Sequence, residues 1–295
     1  MFSAHTFLQT LRDEVAQHPA VHHPFLRRTA AWPWLRDDYK IMGLQHYPLV
    51  GLFTWYMEQL KSRAPNPQAE QWLARVLVDE YGEYQAGQDH ASLYRQYLTA
   101  CGVKPGEEDR VVLDPRVVRF VLEHAHMVTR EPFLVGLGSL GPGHEWSIPT
   151  MFGYLLQGLE REFSPQEITY FTLHVKQDID HGAWLEAALE DIIQTPDDAA
   201  LVRRGALLSL EARGRFWEGV QERVLEWRRP PRAPTLLDGV RKVAAGNPLS
   251  RLVQARPSVP PPARAGLLEP TLPDARIGSL QIAYRSQLRA ALGVE

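Results

Sequence analysis

Helical periodicity runs through almost the whole chain and constrains its fold more than any other feature. Apolar side chains recur every three or four residues in seven stretches between residues 2 and 227, and no segment alternates apolar and polar residues as a strand does. Several of these stretches begin with proline or with a capping residue, as helices commonly do. The pattern predicts an all-α bundle of about seven or eight helices, in which a site would be built from side chains on facing helices.

The composition changes abruptly after Trp227. The segments "RRPPRAPTLL" and "ARPSVPPPARAG" are rich in proline, which is typical of an extended connection and not of a packed bundle. The change predicts a helical bundle over residues 1–228 and a proline-rich C-terminal extension over residues 229–295. Two short helical stretches are expected within the extension, at residues 236–246 and 277–293.

One helix carries three metal-ligand side chains on a single face. In "FTLHVKQDIDHGAWLE", residues 171–186, His174, Asp178 and His181 are four and seven residues apart. At about 100° per residue these side chains fall within an arc of roughly 60° and can converge on one point. If that face is buried, the three groups need a partner such as a metal ion, whereas an exposed polar face would need none.

Two other places offer further ligands. In the helical stretch from residue 66 to residue 101, ideal-helix geometry favours Glu83 with His90, because Glu80 is about 80° away from alignment. Local unwinding at a nearby glycine would bring Glu80 in as well. Glu145 precedes a proline helix start in an apolar setting, where it either binds a cation or interacts with the helix dipole.

Charge and cysteine content limit the function. The chain has 32 Lys plus Arg against 35 Asp plus Glu, so it has no general attraction to nucleic acid or to an anionic membrane. Cys101 is the only cysteine, which excludes a cysteine-ligated metal and fits a reducing cytosol. We therefore expect a cytoplasmic protein that acts on a small molecule. A homodimer is compatible with the sequence. Its histidine and carboxylate ligands suit iron or manganese, and also zinc.

Three segments in order resemble a known family. "DEYGEYQAGQDHASLY", "HEWSIPTMFGYLLQGL" and "YFTLHVKQDIDHGAWL" are similar to the haem-oxygenase-like di-iron oxidases and oxygenases, the iron-containing redox enzymes related to thiaminase II and pyrroloquinoline-quinone synthase. The resemblance extends to "HPAVHHPFLRR", "GLQHYP" and "EARGRFWEGVQ" and covers about residues 5 to 228. It implies a haem-oxygenase-like helical bundle.

The resemblance also implies a ligand set. Carried over position by position, the family's pattern points to Glu80, His90, Glu145, His174, Asp178 and His181. Related sequences place the glutamate and histidine of the third helix either seven or ten residues apart, and both choices exist here. The Asp-Glu-x-Gly context favours Glu80, and Glu83 stays the alternative.

The activity implied by the resemblance is that of a non-haem di-iron enzyme. Two Fe(II) ions, or manganese or a mixed pair, would activate O2 through a peroxo-di-iron species and oxidise or cleave an amino-acid-derived or fatty-acid-like substrate. No protein nucleophile separate from the ligands is expected. Two rivals remain: a cofactor-free enzyme of the thiaminase II or quinone-synthase kind, and a non-catalytic helical binding module whose proline-rich tail recruits a partner.

Side chains for the substrate pocket are harder to identify. Arg119, Lys176 or Arg204 is a candidate to neutralise a substrate carboxylate, although surface exposure is the default for such residues. His46 is of interest because the resemblance includes its context. The candidate wall residues, for which core packing is the alternative, are Tyr47, Phe53, Trp55, Tyr56, Met57, Trp146, Phe152, Tyr154, Tyr170 and Phe171.

Overall fold

The structure is a computed structural model, and it describes residues 2–108 and 110–229. Over these residues the regular secondary structure is entirely helical. Those residues form ten α-helices and no β-strand, as the periodicity predicts. The helices are α1 (Ala4–Gln17), α2 (Pro24–Ala31), α3 (Arg36–Lys61), α4 (Pro67–Glu80), α5 (His90–Ala100), α6 (Pro115–Thr129), α7 (Phe133–Leu140), α8 (Ile148–Leu159), α9 (Thr169–Ile192) and α10 (Pro196–Arg228).

The number of helices exceeds the predicted seven or eight for two reasons. The short helices α2 and α7, of eight residues each, have too few turns to show a clear period in the sequence. The stretch predicted as one helix over residues 66–101 is divided into α4 and α5 by a loop. The remaining predicted helices correspond to observed ones.

Local sequence signals fix where several helices begin. Proline occupies the first turn of α4, α6 and α10, where its missing N–H costs nothing. The side chain of Asn66 accepts a hydrogen bond from the backbone N–H of Ala69, and Thr195 forms a reciprocal capping box with Asp198. These caps satisfy backbone donors that the helix itself leaves free.

Helix α3 is the central element of the bundle and contacts α4, α5, α6, α7 and α10. It continues through Pro48 as a single helix and is buried along most of its length. Its aromatic side chains Tyr39, Tyr47 and Tyr56 are fully enclosed. The core therefore surrounds α3, and α4 and α5 pack directly on it, whereas α9 packs on α4, α5 and α8.

Helices α7 and α10 approach each other closely through two glycines. A Cβ atom at Gly138 would clash with the carbonyl oxygen of Val202, and one at Gly205 would clash with the carbonyl oxygen of Val135. This contact brings the turn that follows α7, which carries Glu145, against the middle of α10.

None of the helices in the described part of the chain is long and apolar enough to cross a membrane. Helix α10 ends at Arg228, where the predicted bundle ends. Apart from Arg229, the extension predicted over residues 229–295 lies outside the described residues, and so do its two predicted helical stretches.

Candidate metal centre

The six side chains that the resemblance points to lie together in the interior of the bundle. Glu80 is the last residue of α4, His90 is the first residue of α5, and Glu145 closes a π-helical turn, Gly141–Glu145, before α8. The other three lie on one face of α9, as predicted, and that face is buried. All six are at most 7% exposed: Glu80, His90, Glu145, His174, Asp178 and His181.

The loop between α4 and α5 explains how Glu80 and His90 meet. Gly82, Glu83, Tyr84 and Gly87 all have positive φ angles, so the chain cannot continue as an α-helix there. The oxygen Oε2 of Glu80 consequently lies 2.8 Å from Nδ1 of His90, while Glu83 is exposed to solvent. The ideal-helix geometry that favours Glu83 assumed a continuous helix, and the structure breaks that helix.

The ligand atoms fall into two groups that share Glu80. One group is Glu80, His90 and His174, and the other is Glu80, Glu145 and His181; within each, one ligand atom per residue lies within 4.8 Å of the others. Asp178 belongs to neither group, but its Oδ1 lies 3.7 Å from Nδ1 of His181. Each group offers enough ligand atoms to hold a metal ion, and Glu80 is common to both.

Hydrogen bonds leave one nitrogen of His174 free for a ligand. Its Nδ1–H donates to the backbone carbonyl of Tyr170 at 2.7 Å, so the lone pair belongs to Nε2. The ring of His90 lies 4.3 Å from that of His174, centroid to centroid. The two rings are therefore close enough for both to reach one ion.

Unpaired polar atoms at this centre fit a cation. Among the described residues, Nε2 of His90 and Oδ1 of Asp178 have no hydrogen-bond partner, and Nδ1 of His90 contacts the carboxylate of Glu80. Buried polar atoms without partners cost free energy, which binding to an ion would offset. The donor set, oxygen and imidazole nitrogen without sulfur, suits iron or manganese.

The buried carboxylates have strongly perturbed acidity. Burial raises the pKa of Asp178 well above its usual value, and the charge of Glu145 raises it further. Burial also raises the pKa of Glu145, although the neighbouring His181 opposes this. For His181, burial lowers the pKa but Glu145, Asp178 and Asp79 raise it more, to about 10. Without a cation, the centre therefore holds protons that metal binding would displace.

Asp79 is a functional candidate that sequence reasoning missed. Its Oδ2 lies 3.0 Å from Nε2 of His181, on the opposite side of the ring from Glu145. A carboxylate that accepts the second N–H of a ligating histidine fixes the orientation of the ring. In the sequence Asp79 directly precedes Glu80, but the Asp-Glu-x-Gly context was used only to favour Glu80 as a ligand.

A narrow cavity adjoins the ligands. Its free volume in this structure is about 10 Å³, and Glu80, His90 and His174 form part of its wall. Of the ten predicted wall residues, Phe53, Phe152 and Tyr170 line it. The other seven pack elsewhere: Tyr47, Trp55, Tyr56, Met57 and Phe171 are buried in the core, and Trp146 and Tyr154 are half-buried.

The three predicted basic candidates do not reach this cavity. Arg119 and Arg204 form ion pairs with glutamates and are largely exposed, and Lys176 is also exposed. A fourth basic residue, Arg213 of α10, is fully buried and was not predicted. Burial lowers the pKa of Arg213 to about 9.

Arg213 lies next to two histidines that line the cavity. Its Nη2 is 2.6 Å from Nδ1 of His144. His46, which the resemblance singled out, is buried with neither ring nitrogen paired, and burial and the charge of Arg213 lower its pKa to about 3. The cavity thus combines apolar walls with several polar groups.

Comparisons with known proteins place the chain among related sequences. The sequence profile of a family described as iron-containing redox enzyme matches residues 43–214. A protein named 4-aminobenzoate synthase from Chlamydia muridarum is 23% identical over 198 residues, which cover 66% of this chain and 82% of that protein.

Solved structures show the same fold. A TenA homologue from Pseudomonas syringae superimposes with a TM-score of 0.62 at 14% identity, covering 73% of this chain and 93% of that one. A domain with a haem-oxygenase-like fold from Shewanella denitrificans has a TM-score of 0.63 at 13% identity, covering 77% and 96%. The all-α bundle of this chain is therefore haem-oxygenase-like.

Proposed function

This chain belongs to the iron-containing redox enzyme family, and on that premise we propose that it is an O2-dependent di-iron oxidase or oxygenase. Its substrate would be a small organic molecule, amino-acid-derived or fatty-acid-like, that is oxidised or cleaved. The observation that carries the proposal is that Glu80 is shared by two groups of buried ligand atoms. A single-ion site would not need a second group.

Each residue has a role in holding the ions. His90 and His174 would complete one site with Glu80, and Glu145 and His181 the other. Asp178 lies beside the second site and would lose its proton on binding. When bound, two Fe(II) ions supply electrons for the reduction of O2; manganese or a mixed pair suits the same ligands.

The surrounding residues orient the ligands and limit the access of water to them. Tyr170 fixes the His174 ring through its carbonyl, and Asp79 fixes His181 from outside the centre. The apolar residues Phe53, Ile148 and Phe152 line the cavity, so a substrate would displace little ordered water near the ligands. A substrate in this cavity would lie against these three apolar side chains.

A cofactor-free enzyme is the second candidate, favoured by the structural similarity to TenA homologues. In that case the close pair of Glu80 and His90, 2.8 Å apart, would act as acid and base on the substrate. The buried atoms Nε2 of His90 and Oδ1 of Asp178 would then remain without partners, at a cost in free energy.

Anaerobic titration with Fe(II) separates the two candidates. The di-iron proposal expects saturation near two ions per chain, followed by an optical change on rapid mixing with O2. Mössbauer spectra of the loaded protein should show two iron environments, because the two groups have different ligands. Saturation at one ion or none would overturn the di-iron proposal and favour the cofactor-free enzyme.

A further inference from the structure

Arg213 is a buried cation that lacks an anionic partner. Its side chain is fully enclosed, and its Nε and Nη1 atoms have no hydrogen-bond partner. Among the described residues, no carboxylate forms an ion pair with it. Its guanidinium lies over the rings of Phe120 and Phe216, at 4.6 and 5.5 Å from their centroids. Such contacts compensate only part of the cost of burying a charge.

The contact between Arg213 and His144 determines where the histidine carries its proton. A guanidinium only donates hydrogen bonds, so Nδ1 of His144, 2.6 Å from Nη2, must accept. The proton of the neutral ring is therefore on Nε2, at the edge away from Arg213. Phe53 stacks on the same ring with centroids 4.6 Å apart, which fixes its plane. His144 thus presents one oriented N–H donor, and the positive charge of Arg213 lies at the opposite edge of its ring.

The ring that carries this donor is part of the wall of the cavity beside the metal centre. His144 lines the cavity together with Glu80, His90 and His174. His46 lines it too, and both of its buried ring nitrogens lack partners. The rest of the wall is mainly apolar, with Leu49 and Val50 among its residues. A ligand with one anionic end and an apolar body would match this arrangement.

We propose that His144, positioned by Arg213, binds the carboxylate group of the amino-acid-derived or fatty-acid-like substrate. Nε2–H of His144 donates to the carboxylate, and Arg213 supplies the positive charge and positions the ring. A carboxylate suits the site better than phosphate, since a narrow cavity whose remaining wall is mainly apolar cannot replace the hydration of a dianion. This inference deepens the proposed function and rests on it for the identity of the cavity as an active site.

The test compares carboxylates with their neutral amides. Butyrate and butyramide, and 4-aminobenzoate and 4-aminobenzamide, are titrated calorimetrically into the full chain, both free of iron and loaded with Fe(II) without O2. Inorganic phosphate serves as a further probe. We expect wild type to bind at least one carboxylate about tenfold or more tightly than its amide in both states, as a charge-assisted hydrogen bond allows.

Three variants and one control identify the residues responsible. In Arg213→Met the preference should fall below about twofold, while Arg213→Lys should keep part of it. His144→Phe retains the ring stack on Phe53 but removes the donor, so it should lose the preference independently if Arg213→Met does not fold. The control is Arg203→Met on the same helix, where the arginine is half-exposed and pairs with Glu14; it should behave as wild type.

Several results would overturn the proposal. These are a wild-type chain that prefers no carboxylate over its amide, tighter binding of phosphate than of any carboxylate, and an undiminished preference in a folded Arg213→Met or His144→Phe variant. A preference seen only in the iron-loaded chain would mean that the carboxylate binds the metal. If the chain takes up no iron but shows the preference, the di-iron function fails and the carboxylate site stands.

Discussion

Replacing Glu80 with glutamine should impair both ion sites at once, because Glu80 is the one residue common to both groups of ligand atoms. The substitution keeps the size of the side chain and removes its charge. Glu145→Gln should impair only the group that also contains His181, and Glu83→Gln should impair neither, since Glu83 is exposed.

The magnitude follows from linkage between binding and folding. An ion at about 100 times its Kd adds about 2.7 kcal/mol to the free energy of unfolding, and two ions add about 5 kcal/mol. For a domain of this size each kcal/mol raises Tm by roughly 2–4 °C. Iron should therefore raise the Tm of wild type by about 10–20 °C.

The assay is thermal unfolding with and without anaerobic Fe(II), so that effects on the metal-free fold cancel. Glu80→Gln should retain a shift of less than about 5 °C, Glu145→Gln about half of the wild-type shift, and Glu83→Gln all of it. Equal shifts in Glu80→Gln and Glu145→Gln would refute the shared ligand. A loss in Glu83→Gln instead of Glu80→Gln would transfer the role to Glu83.

Three further outcomes test other parts of the structure. Asp79→Asn should weaken iron binding by about 10–100-fold, measured by competition with a chelator, because His181 loses its orienting carboxylate; unchanged affinity would exclude that role. Cys101 should resist alkylation at pH 8 until the protein is unfolded, because burial raises the pKa of its thiol to about 12; rapid labelling of the folded chain would contradict this. Gly82→Ala should destabilise the fold by more than about 1 kcal/mol in chemical denaturation, because its Cβ would clash with the carbonyl of Gln88 at a positive φ, whereas Gly87→Ala, with open space around it, should cost less; equal costs would argue against the clash.

The fold was predictable from sequence because its long helices carry clear periods and proline or capped starts. The face of α9 that bears His174, Asp178 and His181 was predictable for the same reason, since spacing on one continuous helix fixes relative direction. Glu145 was predictable only in position along the chain: the π-helical turn that directs it inward depends on packing against α10.

Two other features depend on contacts between distant segments. Helical geometry could not decide between Glu80 and Glu83. The helix breaks at Gly82 through a positive φ angle, and a glycine in the sequence permits such a break without requiring it. Arg213 resembles an ordinary surface arginine of a long helix. Its burial against Phe120 and His144 arises only when α6 and the turn before α8 pack on α10.

The loop between α4 and α5 can change in length without moving Glu80 or His90. Glu80 and His90 are the terminal residues of two separate helices, and residues 83–88 between them are all exposed. Insertions and deletions in an exposed connection cost little, because loop-closure entropy depends weakly on length. Removal of three residues here would leave both helix ends in place, so the same two side chains would still meet when seven residues apart. Helix ends, and not a fixed count of residues, are the features to align when sequences of this kind are compared.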